Sequence, residues 1–387
     1  MRTRAKRLDH IGTAVFFEME TQKSALQAQG RTVTDLGIGS PDQPPAAFIR
    51  QALQDALEDP AAFGYPRSQG TLGFRQAAVN FLDRRYQVTL DPETEVLTLM
   101  GAQDGLSHLT LALIDPGDIV LVPDPGYPIY EASVHLAGGT PYPLPLRAEN
   151  GFLPDLQAVP EDILKRAKLL LLNYPNNPTT ALAPDSFFDE VIAFAKTYDL
   201  WVMHDAAYSE LSFGAEPCPS FLSKAGAKDV GIEIHSLSKT FHYAGARLAF
   251  AAGNADILKA LAVVKSNIDY GVFTPVQVAG AVALQDDRGH IAATRELYQA
   301  RRDAFLGPLQ SAGWAIPTPQ ATMFVWAPIP SKQDSRAFAR HLLTAASVAC
   351  VPGVGFGAQG EGFVRFSLVQ DASVLREAAL RIVQVLG

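Results

Sequence analysis

The sequence predicts an α/β protein: a large domain with a mostly parallel sheet over about residues 46–285, joined to a smaller α+β domain. Two observations carry this. First, short apolar runs at 95–100, 119–122, 169–172, 201–204, 232–235 and 248–252 alternate with helix-like stretches such as 105–113, 184–198 and 255–266. Runs that are apolar throughout, rather than at every second residue, describe strands buried on both faces, as in a parallel sheet covered by helices. Turn signals at Asp115-Pro-Gly117, Pro123-Asp-Pro-Gly126 and Asn176-Asn-Pro178 punctuate the alternation. Second, the last third changes character. A long amphipathic helix at 292–309 precedes strand-like runs at 324–327, 348–351 and 363–368. The N-terminal stretch holds one strand candidate, Thr32-Val-Thr-Asp-Leu36, and is expected to join that unit. The smaller domain is therefore expected to comprise residues 1–45 and 286–387. There is no internal repeat, low-complexity tract or flexible linker.

Composition narrows the function classes. A chain of 387 residues, 48% hydrophobic and 19% charged, is an ordinary globular protein with room for two cores. A net charge of -8 argues against a nucleic-acid partner, and the basic start from Arg2 to Arg7 is short enough to be a solvated arm. Cys218 and Cys350 are the only cysteines, which excludes a disulfide framework and a four-cysteine zinc site and fits a reducing cytoplasm. The apolar run 11–17 leads into Glu18 and Glu20 and lacks signal-peptide form. No run approaches the ~20 apolar residues of a membrane helix. A cytoplasmic protein with no membrane or metal partner is expected.

The chemistry sits at the predicted strand ends. Lys239 lies in Ser236-Leu-Ser-Lys-Thr-Phe-His-Tyr-Ala-Gly-Ala-Arg247. A lysine after an apolar strand is ordinarily a solvated end-cap. With hydroxyls before it and an arginine after it, it also suits a covalent aldehyde cofactor whose phosphate lies beside the amine. Gly101-Ala-Gln-Asp-Gly105 is a strand-to-helix turn whose free N–H groups attract a dianion. Asp104 would repel that dianion unless it turns away to cap the helix. Asp205, ending the apolar run Trp201-Val-Met-His-Asp, is either a helix N-cap or the partner of a pyridinium nitrogen. Tyr208 and Asn177 could both reach a ring oxygen, although an Asn-Pro turn is structural by default. Tyr127, in Asp124-Pro-Gly-Tyr-Pro-Ile-Tyr130, could lie flat on a ring. Arg365, within Gly362-Phe-Val-Arg-Phe-Ser-Leu368, is expensive to bury without an anion. A substrate carboxylate and a structural acidic partner explain it about equally.

Pro-Gly-Tyr, Asn-Asn-Pro-Thr, Asp-x-x-Tyr and Ser-x-Ser-Lys followed by Gly-x-Arg, in this order from about Asp35 to Leu368, resemble the class I/II pyridoxal-phosphate aminotransferases of fold type I. The resemblance implies pyridoxal 5′-phosphate as cofactor, amino and 2-oxo acids as substrates in a ping-pong transamination, and a homodimer with shared active sites. It makes Lys239 the Schiff-base lysine. Ser236, Ser238, Arg247, Ala102 and Gln103 would hold the phosphate, with Tyr65 reaching it from the neighbouring subunit. Asp205 would pair with the ring nitrogen, Asn177 and Tyr208 would contact the ring oxygen, and Tyr127 would stack. Arg365 and the Gly39 backbone would receive the substrate carboxylate.

Three positions depart from the family pattern. Thr180 stands where Asn-Pro-Thr is usually followed by glycine, so that loop is expected to be shaped differently. The stretch Gly271-Val-Phe-Thr-Pro275, around Thr274, lacks a Ser-Asn pair that many relatives direct at the partner's cofactor. Gln103 replaces a lysine that some aspartate-type members use for a distal carboxylate. The runs around Asp205 and Asn177 are most similar to the alanine and LL-diaminopimelate aminotransferase branch, so a neutral or amphoteric amino acid is the expected substrate. The same fold and lysine also support β-elimination, as in cystathionine β-lyase-like C–S lyases. Pyridoxal-phosphate-binding transcription regulators carry a DNA-binding head for which this N-terminus shows no helix-turn-helix pattern.

Overall fold

In the computed structural model, which describes residues 4–11, 14–214, 217–286 and 288–386, the strands run in chain order β1 (Thr34–Asp35), β2 (Val96–Leu99), β3 (Ile119–Asp124), β4 (Thr140–Pro145), β5 (Ala167–Asn173), β6 (Trp201–Asp205), β7 (Gly231–Ser236), β8 (Ala249–Gly253), β9 (Phe324–Pro328), β10 (Val348–Ala349), β11 (Val351–Pro352) and β12 (Phe363–Ser367). A seven-stranded sheet has the order β2-β8-β7-β6-β5-β3-β4. Its neighbours from β4 to β7 are parallel, whereas β8 runs antiparallel to both β7 and β2.

Burial on both sheet faces explains the unbroken apolar runs. Along β5, Leu169 and Leu171 enter one core with Leu106, Leu109, Ile257 and Leu261, while Leu170 and Leu172 enter another with Phe188, Val191 and Phe221. This is the two-residue side-chain period of a strand, with helices packed on either side. Edge strand β4 was not anticipated. Pro141, Pro143 and Pro145 leave it few N–H donors, which suits a strand bonded along one edge only.

The C-terminal third forms a separate core. Antiparallel β11-β12-β9 pack with the helices His290–Ser311 and Ala372–Leu386 through Phe305, Leu309, Phe324, Phe366, Leu375 and Ile382. The run expected at 348–351 divides at Cys350: β10 pairs with β1 in parallel, and β11 pairs with β12. That β1–β10 pairing ties the N-terminal segment to this core. The helices Ala14–Ala28, Ala47–Leu57 and Leu72–Tyr86 and the C-terminal helix were not anticipated. Among the described residues no helix is long and apolar enough to cross a membrane.

Candidate active site

The carboxyl ends of parallel strands are where ligands bind in open α/β sheets. Here β2 delivers Ala102 and Gln103, β3 Tyr127, β5 Asn177, β6 Asp205 and Tyr208, and β7 Ser236, Ser238 and Lys239. Because β8 runs the other way, Arg247 just before it returns to the same edge, where Ala249 faces Ser236. These residues line one cavity of about 400 Å³, closed from the smaller unit by Gly39, Phe324, Phe356 and Arg365. Of the site residues expected from sequence, only Tyr65 is not in it. Its side chain is 93% exposed and leans on Tyr270, ring centroids 5.5 Å apart. Thr274 opens the helix Thr274–Leu284, outside the cavity lining.

Lys239 Nζ donates to the Gly39 carbonyl at 2.6 Å. Burial, then the charges of Arg365 and Arg247, push its pKa down to about 8 against the pull of Asp205. A neutral amine is thus accessible near physiological pH.

Beside it, Gly101 takes φ +84° and leads into the helix Ala102–Leu113, whose first N–H groups lack intrahelical partners. A Cβ at Gly101 would run into the Arg247 guanidinium, so only glycine lets the arginine close over that helix end. Asp104 does turn away, as the dianion reading requires. Its carboxylate accepts from Met100 N at 2.8 Å and pairs with the fully buried Lys265 at 2.6 Å. Despite burial, His108 and Lys265 hold its carboxyl far below the usual range. A cation, helix N–H groups and the hydroxyls of Ser236 and Ser238 thus converge with no free negative charge among them. The arrangement fits a phosphate.

On the opposite side, buried Asp205 accepts from Tyr130 Oη at 2.8 Å and Ala207 N at 3.2 Å. Burial raises its pKa, against the hydrogen bonds from Tyr130 and Ala207. Behind it, Glu233 joins His204 at 3.1 Å and His235 at 2.8 Å. Despite full burial, both histidines hold the Glu233 carboxyl well below its usual range. Sequence reasoning missed Tyr130. It lies three residues past Tyr127 on the first turn of the helix Ile129–Ala137, and that spacing was the available signal.

Arg365 is 5% exposed and paired with no carboxylate among the described residues. It donates to Asn177 Oδ1 at 2.8 Å and to the Gly37 carbonyl at 2.7 Å, while Nε is unpartnered. Its guanidinium lies 4.2 and 4.6 Å from the Phe324 and Phe356 ring centroids, two contacts that sequence alone did not suggest. Burial pushes its pKa down to about 10. An unbalanced buried cation is a receptor for an anion. Of the two sequence readings, the structural ion pair finds no acidic partner here.

Thr180 takes φ +64°, the region glycine enters freely and a β-branched residue rarely does. The loop keeps a glycine-like backbone at that residue despite the substitution.

A pyridoxal phosphate therefore fits the residues present: an amine of lowered pKa, a phosphate cradle, a buried carboxylate opposite and, beyond, a guanidinium paired with no carboxylate among the described residues. The chain belongs to the class I and II aminotransferases, whose family profile matches residues 31–382. It is accordingly a pyridoxal-phosphate-dependent transaminase acting on small amino and oxo acids. It is 46% identical over 383 residues to an LL-diaminopimelate aminotransferase of Moorella thermoacetica, covering 99% of this chain and 98% of that protein. Among solved structures, substrate-bound BacF from Bacillus subtilis superimposes with a TM-score of 0.95 at 38% identity, covering 99% of this chain and 98% of that one. A probable N-succinyldiaminopimelate aminotransferase from Thermus thermophilus gives 0.91 at 39% identity, covering 96% and 100%.

Proposed function

We propose that the enzyme is a cytoplasmic homodimer whose amino-acid substrate is amphoteric, of the LL-diaminopimelate kind, with the domain boundaries near residues 46 and 285. When bound, the cofactor supplies a carbonyl for amines and a ring that accepts the electrons left on the substrate Cα. The chain's residues do the rest. Ser236, Ser238, Arg247 and the N–H groups of Ala102 and Gln103 hold the phosphate. Asp205 would keep the ring nitrogen protonated, Asn177 and Tyr208 would donate to the ring oxygen, and Tyr127 would pack against the ring. Arg365 and the Gly39 backbone receive the substrate α-carboxylate. Lys239 Nζ, freed once a substrate amine is bound, would carry the proton from the substrate Cα to the cofactor carbon it had occupied.

The carrying observation is Arg365, a buried guanidinium with no acidic partner among the described residues, in the cavity that holds Lys239. The names of relatives such as the Moorella enzyme support the diaminopimelate side chain. An exposed aromatic patch supports the dimer: Phe63, Tyr65, Tyr270 and Phe273 are 64, 93, 53 and 39% exposed and touch one another in pairs. Buried, unpaired Cys218 and Cys350 support a reducing compartment.

The test is a half-reaction screen, mixing each amino acid in turn with the cofactor-loaded enzyme and following its visible band. LL-diaminopimelate should discharge the band fastest. A faster discharge by alanine or aspartate would refute the substrate reading, and sedimentation as a monomer would refute the dimer.

A further inference from the structure

The cavity wall carries seven charged side chains among the described residues: Glu20, Lys23, Asp35, Asp205, Lys239, Arg247 and Arg365. The last four have the tasks assigned above. Gln103 stands where some aspartate-type enzymes place a lysine for a distal carboxylate, so no cation comes from that position. That leaves one ammonium and two carboxylates, all on the side formed by the helix Ala14–Ala28 and β1.

These three are built together. Lys23 Nζ lies 2.7 Å from Asp35 Oδ2 and 2.5 Å from Glu20 Oε2, with the lysine side chain only 12% exposed. Asp35 is fixed in turn, because its Oδ1 accepts from Gly37 N at 2.8 Å. Gly37 is also the residue whose carbonyl accepts from Arg365. The trio is thus anchored to the carboxylate clamp through one backbone residue. An ammonium has three N–H donors, and two carboxylates occupy two of Lys23's. Glu20, 54% exposed, is the partner free to move aside.

We propose that Glu20, Lys23 and Asp35 form the subsite for the far end of the substrate: Lys23 receives a distal carboxylate, and Glu20 and Asp35 receive a distal ammonium. The favoured substrate is then an amino acid ending in a second ammonium–carboxylate pair, which rests on the amphoteric reading above and assigns residues to it. A purely cationic end leaves Lys23 facing a positive charge, and a purely anionic end faces two carboxylates. Only the zwitterion matches both signs.

The test compares kcat/KM in the half-reaction for three seven-carbon amino acids: LL-diaminopimelate, L-2-aminopimelate without the far ammonium, and L-2-aminoheptanoate without either far charge. Lys23→Met should lower the diaminopimelate-to-aminoheptanoate ratio about 10- to 100-fold, the value of a charged hydrogen bond. Lys23→Arg should restore most of it. Glu20→Gln, at an exposed position that does not threaten the fold, should lower the diaminopimelate-to-aminopimelate ratio. If Lys23→Met slows all three acids alike, Lys23 is a strut between helix and strand, and the subsite assignment alone falls. If the wild type shows no preference for diaminopimelate over aminoheptanoate, the substrate reading falls and the subsite with it.

Discussion

Replacing Arg365 by methionine should cripple substrate recognition while leaving the fold nearly as stable as before. Removing one partner of a buried charge pair costs about 2–5 kcal/mol of binding, so kcat/KM should fall roughly 30- to 5,000-fold. Stability follows a different sum. A cation whose pKa is lowered from 12.5 to about 10 is disfavoured in its charged form, so at neutral pH it destabilises the fold by on the order of 3 kcal/mol, relieved only as pH rises through about 10. Methionine removes that penalty but leaves Asn177 Oδ1 and the Gly37 carbonyl without their donor, at about 1 kcal/mol each. Losing the contacts with Phe324 and Phe356 costs about 1 kcal/mol more. The terms nearly cancel, so thermal unfolding should shift by no more than a few degrees. Arg365→Lys should recover only part of the activity, because a point charge cannot reproduce the guanidinium fork. A melting point lowered by more than about ten degrees, with affinity for amino acids intact, would show that Arg365 is structural and refute the reasoning.

Other outcomes follow from the same geometry. Asp205→Ala should retain some cofactor yet lose most turnover, and Tyr130→Phe, which removes one donor to that carboxylate, should lower kcat about tenfold; unchanged kcat in both would exclude an electrostatic role for Asp205. Capture of pyridoxal phosphate by the apoenzyme requires neutral Lys239, whose pKa is about 8, so its rate should rise with pH through about 8 and level off above. In Arg247→Met that midpoint should move upward, since one of the charges that lowers it is gone; a midpoint that stays put or falls would contradict this cause. At Thr180, with φ +64°, a glycine variant should be at least as stable in urea as an alanine variant, because the left-handed region costs a Cβ about 1–2 kcal/mol. The usual order, alanine ahead by about 0.5–1 kcal/mol, would show that the backbone is unstrained there.

Much of this was legible before the structure because the site is written on strand ends. Apolar runs locate buried strands, and the polar residues that close or closely follow each run fall at one edge of the sheet, so Asp205, Asn177 and Lys239 could be read one at a time. What lay hidden depends on contacts distant in sequence. The direction of β8 leaves no periodic signature, yet it returns Arg247 to the site. The prolines of β4 mask a strand that only its edge position permits. Tyr130 is a tyrosine on an apolar helix face until Asp205 is placed 2.8 Å from it. Asp104 looked unsuited to a phosphate site because Lys265, which balances it, lies 161 residues away in the chain. The N-terminal helix has little apolar periodicity to signal it, so Glu20 and Lys23 entered only when the cavity was closed in three dimensions.

The central claim is that Lys239 anchors the cofactor of a transaminase in this cavity, and one spectroscopic experiment tests it directly. The enzyme loaded with pyridoxal phosphate should show the visible band of a lysine-linked adduct, and Lys239→Ala should lack it. Adding LL-diaminopimelate alone should abolish the band in the wild type, and adding a 2-oxo acid should bring it back without release of ammonia. A normal adduct in Lys239→Ala, or discharge accompanied by free ammonia with no return on adding the 2-oxo acid, would contradict the account.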